Sequence, residues 1–362
     1  MKLAVIGLLV VVTAAGCSGS SKIVDGLRLE GAPPDSAPPA DGPAGADARH
    51  DGPGLPDGNA PVDAATPATW RKVASPSSGK LAAVHGTSAS DVWAVGDATL
   101  HFDGASWTVA SSSGASQVWA VSPTDVWATT TGGVLHKVGN DWKPVTVTGA
   151  PGSTLWMGLW GAAGHVWAAG ITKLMPPAES GLARFDGASW TLMTVEGLAE
   201  SMSGIGAVDI WAVGQDAQGA AASWHYDGKS WQPRATGSQK SLHDVWAAAA
   251  NDVWAVGMQQ ILHFDGASWS DATPPSLGKG WLVGIWGSSS SSIWAVGYSD
   301  RDSSAGTFGH GVVYHFDGAA WKPVTVPGVI DAGTGALFGV WGSGPADVWA
   351  VGAAGTLLRL SP

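Results

Sequence analysis

The chain has 362 residues, with 29 acidic against 18 basic side chains and a formal net charge of −11. That balance, without any basic run, excludes a nucleic-acid backbone and an anionic lipid surface as electrostatic partners. A single cysteine excludes an internal disulfide, and 22 tryptophans beside 52 glycines describe an aromatic, turn-rich fold.

In chain order, Met1-Lys2 is a basic start and Leu3 to Ala15 an uninterrupted run of apolar and small residues. It is too short to cross a bilayer and has the length of a signal-peptide core. Ala14-Ala15-Gly16-Cys17 comes next and resembles the signal of bacterial lipoproteins. The resemblance implies that residues 1–16 are removed, that Cys17 carries a lipid, and that Ser18 directs the product to the outer membrane, facing periplasm or exterior. Without lipidation the same signal would yield a secreted protein. Residues 17–69 are rich in Pro, Gly, Ala and Asp and have no apolar period. Such a stretch cannot offset its own ordering entropy, so it reads as a disordered tether with a reach of roughly 40 Å.

From residue 70 onward one pattern recurs. Its clearest copy is residues 251–269, Asn-Asp-Val-Trp-Ala-Val-Gly followed by Ile-Leu-His-Phe-Asp-Gly-x-x-Trp. Val-Trp-Ala-Val between Asp and Gly is a strand signal, and Asp265-Gly266 is a hairpin signal leading to a strand that opens at Trp269. A further strand, Leu242–Ala247, lies upstream. Four short antiparallel strands repeating every ~42 residues have the blade length of a propeller. The core tryptophans are Trp93, Trp127, Trp167, Trp211, Trp254, Trp294 and Trp349; the outer ones are Trp107, Trp142, Trp190, Trp231, Trp269 and Trp321. Counting back places His85, Trp119, Trp160, Ile205, Trp246, Trp286 and Trp341 on the upstream strand. The seventh repeat lacks its outer strand, and Trp70-Arg71-Lys72-Val73 has no repeat of its own. The expectation is an all-β, seven-bladed β-propeller over 70–362, with four-stranded antiparallel blades. The N- and C-terminal strands share blade seven, which leaves no free edge.

These repeats resemble β-propeller repeat proteins broadly, including WD-repeat, kelch and Asp-box families. They are most similar to Trp-rich, signal-bearing propeller lipoproteins of Gram-negative bacteria. The resemblance covers about 290 residues; it implies an architecture and leaves function to the site.

Chemistry is sparse. His101, His136, His225, His263 and His315 hold one strand position, with Arg184 and Arg359 in the other two repeats. One such residue per blade lies around a circle instead of converging as metal ligands do. The Asp two residues on, as in His263 and Asp265, shares its face, so a His–Asp pair bracing the hairpin is expected. Asp91, Asp125, Asp209, Asp252 and Asp347 precede the core strand and read as caps of their own turns. No nucleophile elbow, phosphate loop or catalytic cysteine occurs, so no catalytic residue, metal or cofactor is assigned. Connections after the core strand (171–181, 215–222, 298–311) and between blades (191–202, 327–336) vary in length and emerge on one side of the disc. Long loops on a rigid scaffold carry recognition. The ligand-binding candidates are Tyr298, Asp300, Arg301, Asp302, Phe308 and His310 in the blade-six loop. Trp156 and Trp281 join them as exposed aromatics outside the repeat set; Trp224, which replaces a strand leucine, reads as core. The expected protein is a monomeric, non-catalytic binding propeller for a protein or glycan. The alternatives are a structural subunit of an envelope assembly and a polysaccharide hydrolase or lyase.

Overall fold

The computed structural model describes residues 68–139, 141–162, 164–302, 307–326 and 335–362, apart from the side chains of Arg301, Asp302 and Thr307. The signal segment 1–16, Cys17 and the tether through residue 67 lie outside the described residues. The described chain forms a ring of seven four-stranded antiparallel sheets. Blade 1 runs outward through Leu81–Ser88, Asp91–Gly96, Thr99–Phe102 and Trp107–Ser111. The inner strands of blades 2 to 6 are Gln117–Ser122, Leu155–Ala162, Leu198–Gly206, Leu242–Ala249 and Trp281–Ser289. Blade 7 combines Leu337–Gly344, Asp347–Gly352 and Leu357–Ser361 with Thr69–Val73 as its outer strand. Trp70 pairs with Leu360 there, as the missing outer strand required.

The second strand of every blade is buried on both faces, because each sheet packs between two others; in Asp91–Gly96 all six residues are buried. Its tryptophan fills the gap to the next blade and meets that blade's outer tryptophan edge to face. Trp93 meets Trp142 at 5.9 Å and 83°. Trp127 meets Trp190, Trp167 meets Trp231, Trp211 meets Trp269, and Trp254 meets Trp321, all near perpendicular. Trp349 of blade 7 meets Trp107 of blade 1 at 5.1 Å and 86°. Trp294 of blade 6 meets Trp70 at 5.3 Å and 77°, so the N-terminal strand supplies the last partner. Perpendicular contacts set a positive ring edge on a negative face, worth about 0.5–1.5 kcal/mol each beyond the buried area.

A second series stitches the inner strands. Trp119, Trp160, Trp246, Trp286 and Trp341 each lie over a glycine of the following blade: Gly161, Gly204, Gly287, Gly342 and Gly86. A Cβ at Gly287 would stand 2.6 Å from the Trp246 ring. Two blades break this pattern in a compensated way. His85 stands where the tryptophan would be, the next blade carries Ala120, and Ala120 N–H donates to His85 Nδ1 at 3.1 Å. In blade 4 the position is Ser203, which pairs with Trp211, and Ala247 N–H donates to its Oγ at 3.2 Å. Ser203, not Ile205, is thus the blade-4 equivalent. The hairpin bulges between Gly204 and Gly206 and throws Ile205 out to 45% exposure.

The hairpin brace also differs from expectation. His263 Nε2 bonds Asp252 at 2.9 Å, across the strand pair, instead of Asp265. His101–Asp91, His136–Asp125 and His225–Asp209 repeat this at 2.7–2.8 Å, and Arg359 Nε donates to Asp347 at 2.7 Å. The aspartates before the core strand therefore serve the brace. Capping falls to the Asp-Gly turns, where Asp265 Oδ1 accepts the Ala267 and Ser268 amides. Those backbone donors hold the Asp265 carboxyl below its usual range. Each brace histidine also stacks on its core tryptophan, as His136 does on Trp127 at 3.9 Å and 9°. Blade 6 substitutes Ser292 for the aspartate, at 3.2 Å from His315, and in blade 3 Arg184 lies beside His165.

Two of the long connections are partly or mostly strand. Strands reach Lys173 and resume at Glu179, and Trp190–Glu196 and Leu198–Gly206 are separated by Gly197 alone. The expected variable loop over 191–202 is therefore absent, whereas 327–334 lies outside the described residues.

Candidate functional site

Two spaces open along the ring axis. The narrower, about 290 Å³, is walled by inner strands of all seven blades. Two enclosed titratable groups face it. The Asp244 carboxylate accepts the Ser201 hydroxyl at 2.5 Å, the Val245 amide at 2.9 Å and the Ile285 amide at 2.8 Å, which ties blades 4, 5 and 6. Burial pushes its pKa up to about 6 against those hydrogen bonds. Burial lowers His85 to about 3, consistent with an Nδ1 that must keep its lone pair for the Ala120 amide. Among the described residues no cluster of three His, Cys, Asp or Glu side chains could hold a metal.

The wider space, about 630 Å³, is a funnel on the face where second strands end and blades connect. Trp156, Trp281, Tyr298 and Phe308 all line it. Trp156 and Tyr298 are buried, at 5% and 3% exposure. This corrects the expectation that Trp156 is an exposed aromatic. Trp224, also buried, belongs to the core as expected. Arg301 and Asp302 pair with Phe308 and Thr307 in a short two-stranded ribbon, and only their backbone is described. Asp300 and His310 sit at the base of that ribbon: Ser299 Oγ lies 3.4 Å from Asp300 Oδ1 and 3.2 Å from His310 Nδ1. Neither lines the funnel.

The funnel wall joins these aromatics to residues that the sequence did not single out. Lys80 Nζ lies 5.6 Å over the Phe338 ring. Phe338 meets Phe308 edge to face at 5.4 Å, and Phe308 meets Tyr298 at 4.9 Å. Tyr298 then stacks on Trp281 at 6.0 Å and 22°, and Trp281 on His243 at 5.5 Å and 12°. His243 Nδ1 contacts Glu200 Oε2 at 2.8 Å, and Gln215 Nε2 donates to Glu200 Oε1 at 3.4 Å. An ionised carboxylate only accepts, so Nδ1 carries the proton. The chain of contacts crosses blades 7, 6, 5 and 4, while blades 1 and 2 line the funnel with small and polar residues such as Ala82, Asp97, Ser116, Gln117 and Thr131. The arrangement offers aromatic rings, one cation and one braced carboxylate.

No protein-family model matches the chain, and no curated protein sequence does. Solved structures match its fold. YCF48 from Cyanidioschyzon merolae superposes with a TM-score of 0.60 at 16% identity, over 81% of this chain and 99% of that one. YCF48 bound to D1 peptide gives 0.59 at 17% identity, over 81% and 97%. The extracellular domain of the two-component system BT4673 from B. thetaiotaomicron gives 0.59 at 10% identity, over 81% of this chain and 40% of that one. The WD40 β-propeller domain of Doa1 is similar too, at 0.58 and 13% identity, over 81% and 96%.

Proposed function

We propose that this chain is a non-catalytic propeller that binds a polypeptide in its funnel, held at the bacterial envelope by a lipid on Cys17. The observation that carries the reading is the lopsided funnel. An enzyme of polysaccharides needs convergent carboxylates, and among the described residues the funnel holds Glu200, already braced, and Asp97 on another blade. A sugar binds flat on an exposed ring face. Here Trp281 is stacked on both Tyr298 and His243, at 6.0 and 5.5 Å, which leaves less of its ring face for a sugar. A concave apolar wall with few polar groups is the common form of a binding site. One similar structure, YCF48, is seen bound to D1 peptide, which supports the polypeptide reading over the glycan one.

The test has two arms. Full-length protein is screened against a random peptide library and a glycan array, with Trp281→Ala as control. Peptides retained by the parent and released by the variant are expected; glycan binding alone would overturn the ligand class. In the second arm cells are fed a fatty-acid analogue. Labelling that disappears in Cys17→Ser is expected, and labelling that persists would remove the anchor.

A further inference from the structure

The repeat is monotonous except at one place. In blade 1 Leu81 pairs with Gly96 and Ala83 with Val95, so Ala82 is skipped in a β-bulge. The same bulge skips Met157, Glu200, His243, Val283 and Phe338 in blades 3 to 7. Blade 2 has no bulge there, and its counterpart is Ser116, which stands three residues before Trp119 as His243 stands three before Trp246. A bulge re-aims one side chain out of the pleat, and all of these residues line the funnel.

The cause is the glycine that ends Asp-Val-Trp-Ala-Val-Gly. The inner strand presses on it: a Cβ at Gly257 would lie 2.1 Å from the Ser241 carbonyl oxygen, and one at Gly297 1.8 Å from that of Trp281. Blade 2 has Thr130 in place of the glycine and lacks the bulge. The glycine thus admits the bulge, and the bulge delivers a side chain to the ligand space.

At this ring position the blades carry Ala, Ser, Met, Glu, His, Val and Phe, seven different side chains, while the strands on either side repeat. All seven are half-buried, so the diversity is not that of open surface. The charge is lopsided as well. Glu200 stands on one arc, Val283 and Phe338 on another, in a chain of net charge −11 that attracts cations.

Resting on the polypeptide reading above, we propose that the bulge ring determines specificity and selects an extended segment that presents a basic side chain to Glu200 and an apolar one to Val283 and Phe338. The probe is an array of ten-residue peptides on a Gly-Ser background, carrying every pairing of Leu, Phe, Ser, Glu, Lys and Arg at two positions. Full-length parent, Glu200→Gln, Glu200→Lys and Val283→Ser are compared at matched thermal stability. The parent should favour Leu or Phe combined with Lys or Arg. Glu200→Gln should cost about tenfold against basic peptides only, the size of one lost charge-assisted contact. Glu200→Lys should turn the preference toward Glu peptides, and Val283→Ser should weaken apolar selection while sparing the charge preference. Peptides that bind with a profile unchanged by all three variants would overturn the ring and leave the funnel reading standing. If no peptide binds the parent while glycans do, the funnel reading fails and the ring proposal with it.

Discussion

Along the central channel, His85 and Asp244 are enclosed by the same set of inner strands, and their linkage to folding runs in opposite senses. His85 titrates near 3 when folded against 6.5 when free, so as pH falls below 6.5 the unfolded chain takes a proton that the fold refuses, and stability is lost. Asp244 titrates near 6 when folded against 3.8 when free, so between 6 and 3.8 the fold takes the proton first, and falling pH stabilises. Asp91 near His85 and His243 near Asp244 oppose these shifts without reversing them. From about pH 4 to 6 the two slopes oppose each other. Urea unfolding should therefore show Asp244→Asn losing stability relative to the parent as pH falls, and His85→Gln losing it relative to the parent as pH rises. Parallel profiles for parent and variants would show that neither group is enclosed. The sequence made the histidine circle visible, yet it pointed to the wrong aspartate. His263 and Asp265 share a face by parity, but the bond crosses the hairpin to Asp252, a matter of register that spacing within one strand does not report.

At the scale of the blade, the tryptophan-over-glycine stitch is a rule with its own exceptions written into the chain. Gly287→Ala should displace the Trp246 ring and cost about 1–3 kcal/mol. Adding Trp246→Ser recreates the Ser203–Ala247 solution of blades 4 and 5 and should restore part of the loss. A double-mutant cycle by chemical unfolding should give a coupling of about 1 kcal/mol or more; additive losses would show that the stitch is not what constrains Gly287. Strand count, hairpin turns and blade number were legible because each repeat states them in Val-Trp-Ala-Val and Asp-Gly. The bulge was not. The glycine after Val256 looks like a strand terminator, and only the paired structure reveals the carbonyl pressing on it. That is why Trp281, Tyr298 and Phe308 could be found as aromatics outside the repeat or in a long connection, whereas Glu200, His243 and Phe338 could not. Length variation misled for a related reason, since the extra residues at 191–202 lengthen strands instead of forming a loop.

For the whole molecule, closure depends on one short strand. Trp70 supplies the edge-to-face partner of Trp294, and Thr69–Val73 pairs residue by residue with Leu357–Ser361. Trp70→Ala should lower unfolding free energy by about 2–3 kcal/mol, while deletion of residues 20–65 should leave the melting curve unchanged. A melting curve equally indifferent to both changes would mean that the ring does not need its seam. The ring also sets a timetable. Arg71 Nη1 donates to the carbonyl oxygen of Pro362, 291 residues later in synthesis. Whatever pairs with Thr69–Val73 is thus among the last parts of the propeller to be synthesised. Until then six blades with complete strand sets wait beside an orphaned edge, and contacts of such long separation form slowly. A neighbouring nascent copy offers the same strand at the same moment. Crowded production therefore favours exchange of Thr69–Val73 between molecules, a swap that leaves every blade intact and welds two rings at their seams.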